Sequence, residues 1–177
     1  QHLETGSFGW VLGTSTITLA TCGGPVTGYP NSSFRCEAMG RLSALVFLSR
    51  HCLQHNIDPG CHLQTYLDNK SVIETETQLR GYPSIFPGMM LHSDMDVFLA
   101  LIATHNTLPW KSVSTYHVKS HQDDRAHFNT LSRPAQLNVL ADSIATQELN
   151  MLEFETPPVT YPLPDGRVHL FHEDALI

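Results

Sequence analysis

The sequence predicts an α/β domain in which helices pack on a mixed sheet, and three observations predict it. Apolar residues alternate with small or polar ones through most of the first 28 positions, the period of a half-buried strand. Four later segments repeat their apolar residues every three to four positions, the period of a helix, and two short strand-like runs fall between them. The order is strand-strand-helix, then strand-helix-helix-strand-helix, which calls for a sheet with helices packed on it.

The first element is a hairpin. Phe8, Trp10 and Leu12 alternate with Gly9 and Val11, then Ile17 and Leu19 alternate with threonines, and Gly13 to Ser15 supply the turn. The loop GGPVTGYPNSS leads to a helix from about Ser33 to about His55, in which Ala38, Leu42, Leu45, Val46 and Leu53 recur at helical spacing, with Ser32 or Ser33 as N-cap. CHLQTYLD reads as a strand ending at Asp68, followed by a short helix from Asn69 to about Leu79. RGYPSIFPGMMLHS interrupts the pattern with its prolines and glycines, SDMDVFLALIATHN resumes it as a helix, and VSTYHVKS is the last strand of the core. A polar loop, His121 to Ser132, precedes a helix from about Arg133 to Asn150, with Pro134 tolerated in its first turn. On that helix Leu137, Leu140, Ala141, Ile144 and Ala145 form one continuous apolar stripe, which decides the face that turns inward.

Residues 1–150 therefore read as one domain. Residues 151–177 are Pro-rich, with a PDG turn between two alternating segments, and read as an appended hairpin or linker. No period repeats along the chain, which excludes solenoids and propellers.

Composition narrows the class. With 177 residues and 41% hydrophobic content the chain can bury a core without metal or disulfide support, and no apolar run approaches the ~18 residues needed to cross a bilayer. Cys22, Cys36, Cys52 and Cys61 are few and unevenly spaced, which suits a reducing compartment, so an intracellular setting, cytoplasmic or nuclear, is expected. Gln1 is not an initiator methionine and QHLETGSF lacks the layout of a signal peptide, so the chain is expected to be a fragment of something longer. The formal net charge of −7 argues against gripping nucleic acid by charge alone, but it does not exclude a metal-dependent nuclease, whose carboxylates bind cations that reverse the local field.

Three acids fall where acids are costly. Glu37 lies early in the long helix among Phe34, Cys36, Ala38 and Met39, Asp68 ends an apolar strand, and Asp142 sits beside Ala141 near the apolar stripe of the last helix. A carboxylate near a core is destabilising unless it is hydrogen-bonded or binds a cation, and magnesium, a hard ion that takes oxygen ligands, is the natural one. Two such ions about 3.5–4 Å apart serve phosphodiester hydrolysis.

At these residues the sequence resembles a family. Glu37 early in the first long helix, LDNKSVI with Asp68, HVKSHQDD with His121, and NVLADSIA with Asp142 look like the successive motifs of type 1 ribonuclease H, in that family's order, and Asn138 stands one helical turn before Asp142 as in its Asn-x-x-x-Asp pattern. The resemblance covers about Ser7 to Asn150. It implies a three-layer fold with a mixed five-stranded sheet flanked by helices, and hydrolysis of the RNA strand of RNA–DNA hybrids. It also implies two Mg2+ ions, replaceable by Mn2+, held by Glu37, Asp68 and Asp142. His121 would assist proton transfer or product departure, with Asn69 and Asn138 supporting the ligands or the substrate. The long loop before Asn138 and the low lysine content resemble the ribonuclease H domain attached to a reverse transcriptase in retroelement polyproteins. A hybrid and a neighbouring reverse transcriptase domain are therefore the expected partners, and no membrane is expected.

One departure stands against full activity. The family's first strand carries a further aspartate, usually followed by Gly-Ser, and this chain has no aspartate before Asp58. The first strand and its aspartate are expected to lie upstream, and the chain as given is expected to cleave little or nothing. A non-catalytic remnant or connection module that binds nucleic acid or protein is the alternative, and an unrelated magnesium phosphohydrolase is a third.

Each residue also has an ordinary reading. Asp68 could cap the following helix, Glu37 could pair with Arg41 at i, i+4, and Asp142 could face solvent. His121 could be a solvated loop residue, with His117 turned elsewhere by strand parity if the strand runs past Ser120. His51, Cys52, His55, Cys61 and His62 cluster in sequence, but their spacing matches no common zinc pattern and reads better as buried cysteines and helix-terminal histidines. HQDDRAH reads as a loop.

Overall fold

The alternating amino-terminal segment forms the expected hairpin, Ser7–Gly13 (β1) against Thr18–Pro25 (β2), antiparallel, in a computed structural model that describes residues 6–26, 31–84, 86–91, 93–152, 171–172 and 175–176. Its turn is closed by Thr14, whose N–H donates to Ile17 O and whose hydroxyl accepts from the N–H groups of Thr16 and Ile17. Ser33–Gln54 (α1) follows, capped by Ser32, whose side chain accepts the Arg35 N–H. His62–Leu67 (β3), Lys70–Arg80 (α2), Met95–His105 (α3) and Ser112–His117 (β4) come next, and Arg133–Leu152 (α4) completes the domain. Pro87–Leu91 and Phe128–Thr130 add short 3-10 turns.

Helices lie on both sides of the strands. On one side α1, α2 and α3 enclose the main core, where Leu45, Leu67, Val72, Val97, Phe98 and Leu101 are almost fully buried. Two arginines pin this layer through ion pairs: Arg35 of α1 donates to Asp94 and Asp96 at 2.6–2.9 Å, and Arg41 of α1 donates to both carboxylate oxygens of Glu76 on α2 at 2.6 and 3.1 Å. The other side is α4, packed on the hairpin. Gly9 permits this approach, because a Cβ there would sit 2.2 Å from the Ala141 carbonyl oxygen.

The single mixed sheet expected from the sequence is divided. Among the described residues β1 pairs only with β2, and β3 pairs only with β4, in parallel register from His62↔Ser112 to Leu67↔His117. Both pairs rest on α1, with Gly40 against Phe8 of β1 and Arg41 donating to the Thr65 and Thr115 hydroxyls of β3 and β4. A slot of about 570 Å³ runs between them. The apolar stripe of α4 turns inward as expected, over this slot, and its residues are half-buried.

Two boundaries differ from expectation. The last core strand stops at His117, three residues before Ser120. Helix α4 runs on to Leu152, past the expected end at Asn150. The PDG turn lies outside the described residues, and of the extension beyond Leu152 only the two-residue strands Phe171–His172 and Ala175–Leu176, paired antiparallel, are described.

Candidate active site

Asp68 follows the last residue of β3 and is not the cap of α2. The Asn69 side-chain oxygen accepts the N–H groups of Ser71 and Val72 at 3.1 and 3.4 Å, so Asn69 holds that position and the half-buried Asp68 carboxylate is left for another use. Asn69, expected to support ligands or substrate, thus has its oxygen committed to the helix start.

Glu37 loses its expected partner in a similar way. Arg41, one helical turn on, is bound to Glu76, Thr65 and Thr115. The Glu37 carboxylate lies within electrostatic reach of Asp68 instead. Burial, with the nearby charges of Asp68 and Asp142, pushes Glu37 up to about 7.

Asp142 reaches the same place from α4. Asn138, one turn earlier, donates its side-chain N–H to Asp142 Oδ2 at 3.3 Å. Burial and the charge of Asp68 raise Asp142 to about 6, against an opposing pull from His121 and with a further push from Asp123. Three acids from three separate elements therefore feel one another at one end of the slot.

They share that end but not one coordination sphere. Among the described residues no three His, Cys, Asp or Glu side chains stand close enough to hold a metal ion as they are. The donor set, carboxylate oxygens with raised proton affinity, fits a hard divalent cation such as magnesium, which would displace the retained protons.

The histidines divide differently from the sequence reading. His121 is exposed, with a left-handed backbone (φ 49), and acts on Asp142 through its charge. His117 does not turn elsewhere: β4 ends there, opposite Leu67, and its Nε2 lies 3.0 Å from the Asp68 carbonyl oxygen. The parallel pairing of β3 and β4 places His117 beside Asp68, and no local pattern in HVKSH signals it. Asp123 was likewise read only as part of a loop, although its charge reaches Asp142. Of the sequence-clustered thiols and imidazoles, Cys52 is buried, Cys61 is exposed, and the His51 and His55 rings lie against each other at 4.6 Å.

No protein-family model and no curated protein matches the chain. Solved structures do. RNase H1 from the halophilic archaeon Halobacterium salinarum NRC-1 aligns at 17% identity over 82% of this chain and 86% of its own, with a TM-score of 0.50. The fold is ribonuclease H-like. Looser alignments are found with the N-terminal RNase H domain of Rv2228c from Mycobacterium tuberculosis, solved as a fusion with maltose-binding protein (12% identity, 85% of this chain, 94% of that one, TM-score 0.49). Prototype foamy virus protease–reverse transcriptase aligns at 16% identity over 81% of this chain and 20% of its own, with a TM-score of 0.46. Among the described residues no helix is long and apolar enough to cross a membrane.

Proposed function

We propose that this ribonuclease H-like domain, completed by a first strand carrying a further carboxylate, hydrolyses the RNA strand of RNA–DNA hybrids as part of a reverse-transcriptase-bearing retroelement polyprotein. The observation that carries this reading is the meeting of Glu37, Asp68 and Asp142, from α1, the end of β3 and α4, at one end of the slot. Glu37, Asp68 and Asp142 would hold two magnesium ions. When bound, these supply an activated water and charge neutralisation for in-line displacement at a phosphodiester.

The remaining chemistry belongs to the chain. Glu37 holds its proton up to about pH 7 and Asp142 to about pH 6, and both give them up on loading, so occupancy rises with pH through about 6 to 7. Asn138 orients Asp142 by its hydrogen bond. His121, on an exposed loop within electrostatic reach of Asp142, gives or takes a proton at the departing oxygen. With a net charge of −7, affinity for a hybrid depends partly on the neighbouring polymerase domain, and recognition rests on helix shape and the 2′-hydroxyl.

A chain extended upstream by a strand ending in Asp-Gly-Ser tests this directly. Magnesium-dependent cleavage of an RNA–DNA hybrid, absent with duplex DNA or duplex RNA and lost in Asp142→Asn, is expected, while the 177 residues alone cleave little. Equal cleavage of all three duplexes by the extended chain points to a general phosphohydrolase, and efficient cleavage by the unextended chain overturns the need for a further carboxylate. The spread of the acids among the described residues favours one second reading, a module that binds without cutting. Hybrid binding by the extended chain with no cleavage at any magnesium concentration supports it.

A further inference from the structure

Ser43, Phe47, His51 and His55 stand one helical turn apart along a single stripe of α1, with His55 as the cap of its last turn. Trp10 of β1 anchors the other end of the stripe. Its Nε1 donates to Ser43 Oγ at 3.0 Å, and its ring lies 5.1 Å from that of Phe47. Phe47 stacks on His51 at 5.7 Å with the planes 18° apart, and His51 meets His55 at 4.6 Å. The column is therefore ordered from the hairpin outward and ends in two exposed imidazoles. Among the described residues neither of those rings makes a hydrogen bond or an ion pair.

Two imidazoles one turn apart on the same helical face can chelate. An ion held about 2.0–2.1 Å from a nitrogen of each ring needs those nitrogens only about 3 Å apart. Ring centroids 4.6 Å apart, with the planes tilted by 51°, allow that spacing by rotation about the side-chain bonds. The position favours a cation for a second reason: the last turn of α1 presents free carbonyl oxygens and the negative end of the helix dipole there. Phe47, stacked on His51, has already restricted the ring that binding would immobilise.

We infer that His51 and His55 bind a divalent transition-metal ion of the zinc, nickel and copper class, at a site separate from the acids. Donor chemistry divides the two sites, since imidazole nitrogen suits zinc, nickel and copper whereas carboxylate oxygen suits magnesium and manganese. The rest of the sequence cluster does not join the pair. Cys52 is buried in the groove between α1 and α3, the His62 Nδ1 meets the Ser112 hydroxyl, and no third His, Cys, Asp or Glu among the described residues stands close enough to complete a set of three. Water fills the remaining coordination positions. The site stands whether or not the acids bind magnesium.

Zinc chloride titrated into the untagged 177-residue chain tests the pair, with magnesium chloride in excess to keep the acids supplied with a hard ion and the histidine ring resonances followed by NMR. The His51 and His55 rings are expected to shift together at the lowest zinc concentrations and to return with EDTA. In His51→Gln the His55 ring is expected to need about tenfold more zinc, and in His55→Gln the His51 ring likewise. Adding Leu53→His to His51→Gln restores the number of histidines but not their spacing, and is expected to leave zinc binding as weak as in the single variant. Leu53 is 73% exposed, so that substitution spares the core. Rings unmoved by zinc, an unchanged zinc requirement for either ring without the other, or recovery of affinity with Leu53→His overturns the chelate. The parent chain decides the matter even if a variant loses helix: His51 and His55 titrating at different zinc concentrations overturns it too.

Discussion

Replacing Glu37 by Gln removes one negative charge from the acid cluster while keeping the side chain's size. The rise of Glu37 from 4.5 to about 7 corresponds to about 3 kcal/mol of disfavoured charge. The unfolded chain releases this proton near pH 4.5 and the folded chain holds it to about 7, so between these values the folded state binds more protons and stability falls as pH rises. Asp142, raised to about 6, acts in the same direction, more weakly per unit of burial because it is more open to solvent screening. His105, lowered by burial and the charge of Arg80, works the other way, gaining stability as pH rises toward 6.5. Comparison of Glu37→Gln with the parent cancels that contribution. Urea unfolding in EDTA, followed by circular dichroism, is expected to find the two proteins equally stable at pH 4.5 and the variant more stable by about 3 kcal/mol at pH 8. Adding magnesium at pH 8 is expected to narrow the gap by stabilising the parent. A difference that does not change with pH, or a variant less stable at pH 8, would refute the argument that Glu37 is held against its charge.

Other substitutions probe the frame around the cluster. Glu76→Gln leaves the Arg41 guanidinium buried without its ion partner and is expected to cost about 3–5 kcal/mol in urea unfolding. Asn69→Ala removes the cap of α2 and is expected to cost about 1 kcal/mol, whereas Asp68→Asn, which caps nothing, is expected to stabilise the chain at pH 8 by relieving repulsion. Gly9→Ala forces a methyl group against the Ala141 carbonyl and is expected to destabilise by about 1–3 kcal/mol, with the largest loss of exchange protection in α4.

Local patterning gave the element order and most boundaries. The Ser32 cap was legible because its hydrogen bond spans three residues, and the α4 stripe because helical periodicity is written in one segment. The cap of α2 was read as an aspartate reading against an active-site one, when the neighbouring Asn69 decides it. His117 was missed because its relation to Asp68 spans 49 residues and arises only from the parallel pairing of β3 with β4. The i, i+4 partner proposed for Glu37 failed for the same reason: Arg41 finds Glu76 35 residues away, buried and bidentate, which outweighs an exposed pair along one helix.

By itself the sequence determined which segments are strands and helices, and it supplied the acids in an order that resembles ribonuclease H, since both are properties of near neighbours along the chain. Only the tertiary structure decided that Glu37 leans on Asp68 rather than Arg41, that the sheet is parted by a slot, and that the acids stand at one end of it without closing on a common point. Those outcomes depend on burial and on charges brought together from distant positions, and local periodicity carries no record of either.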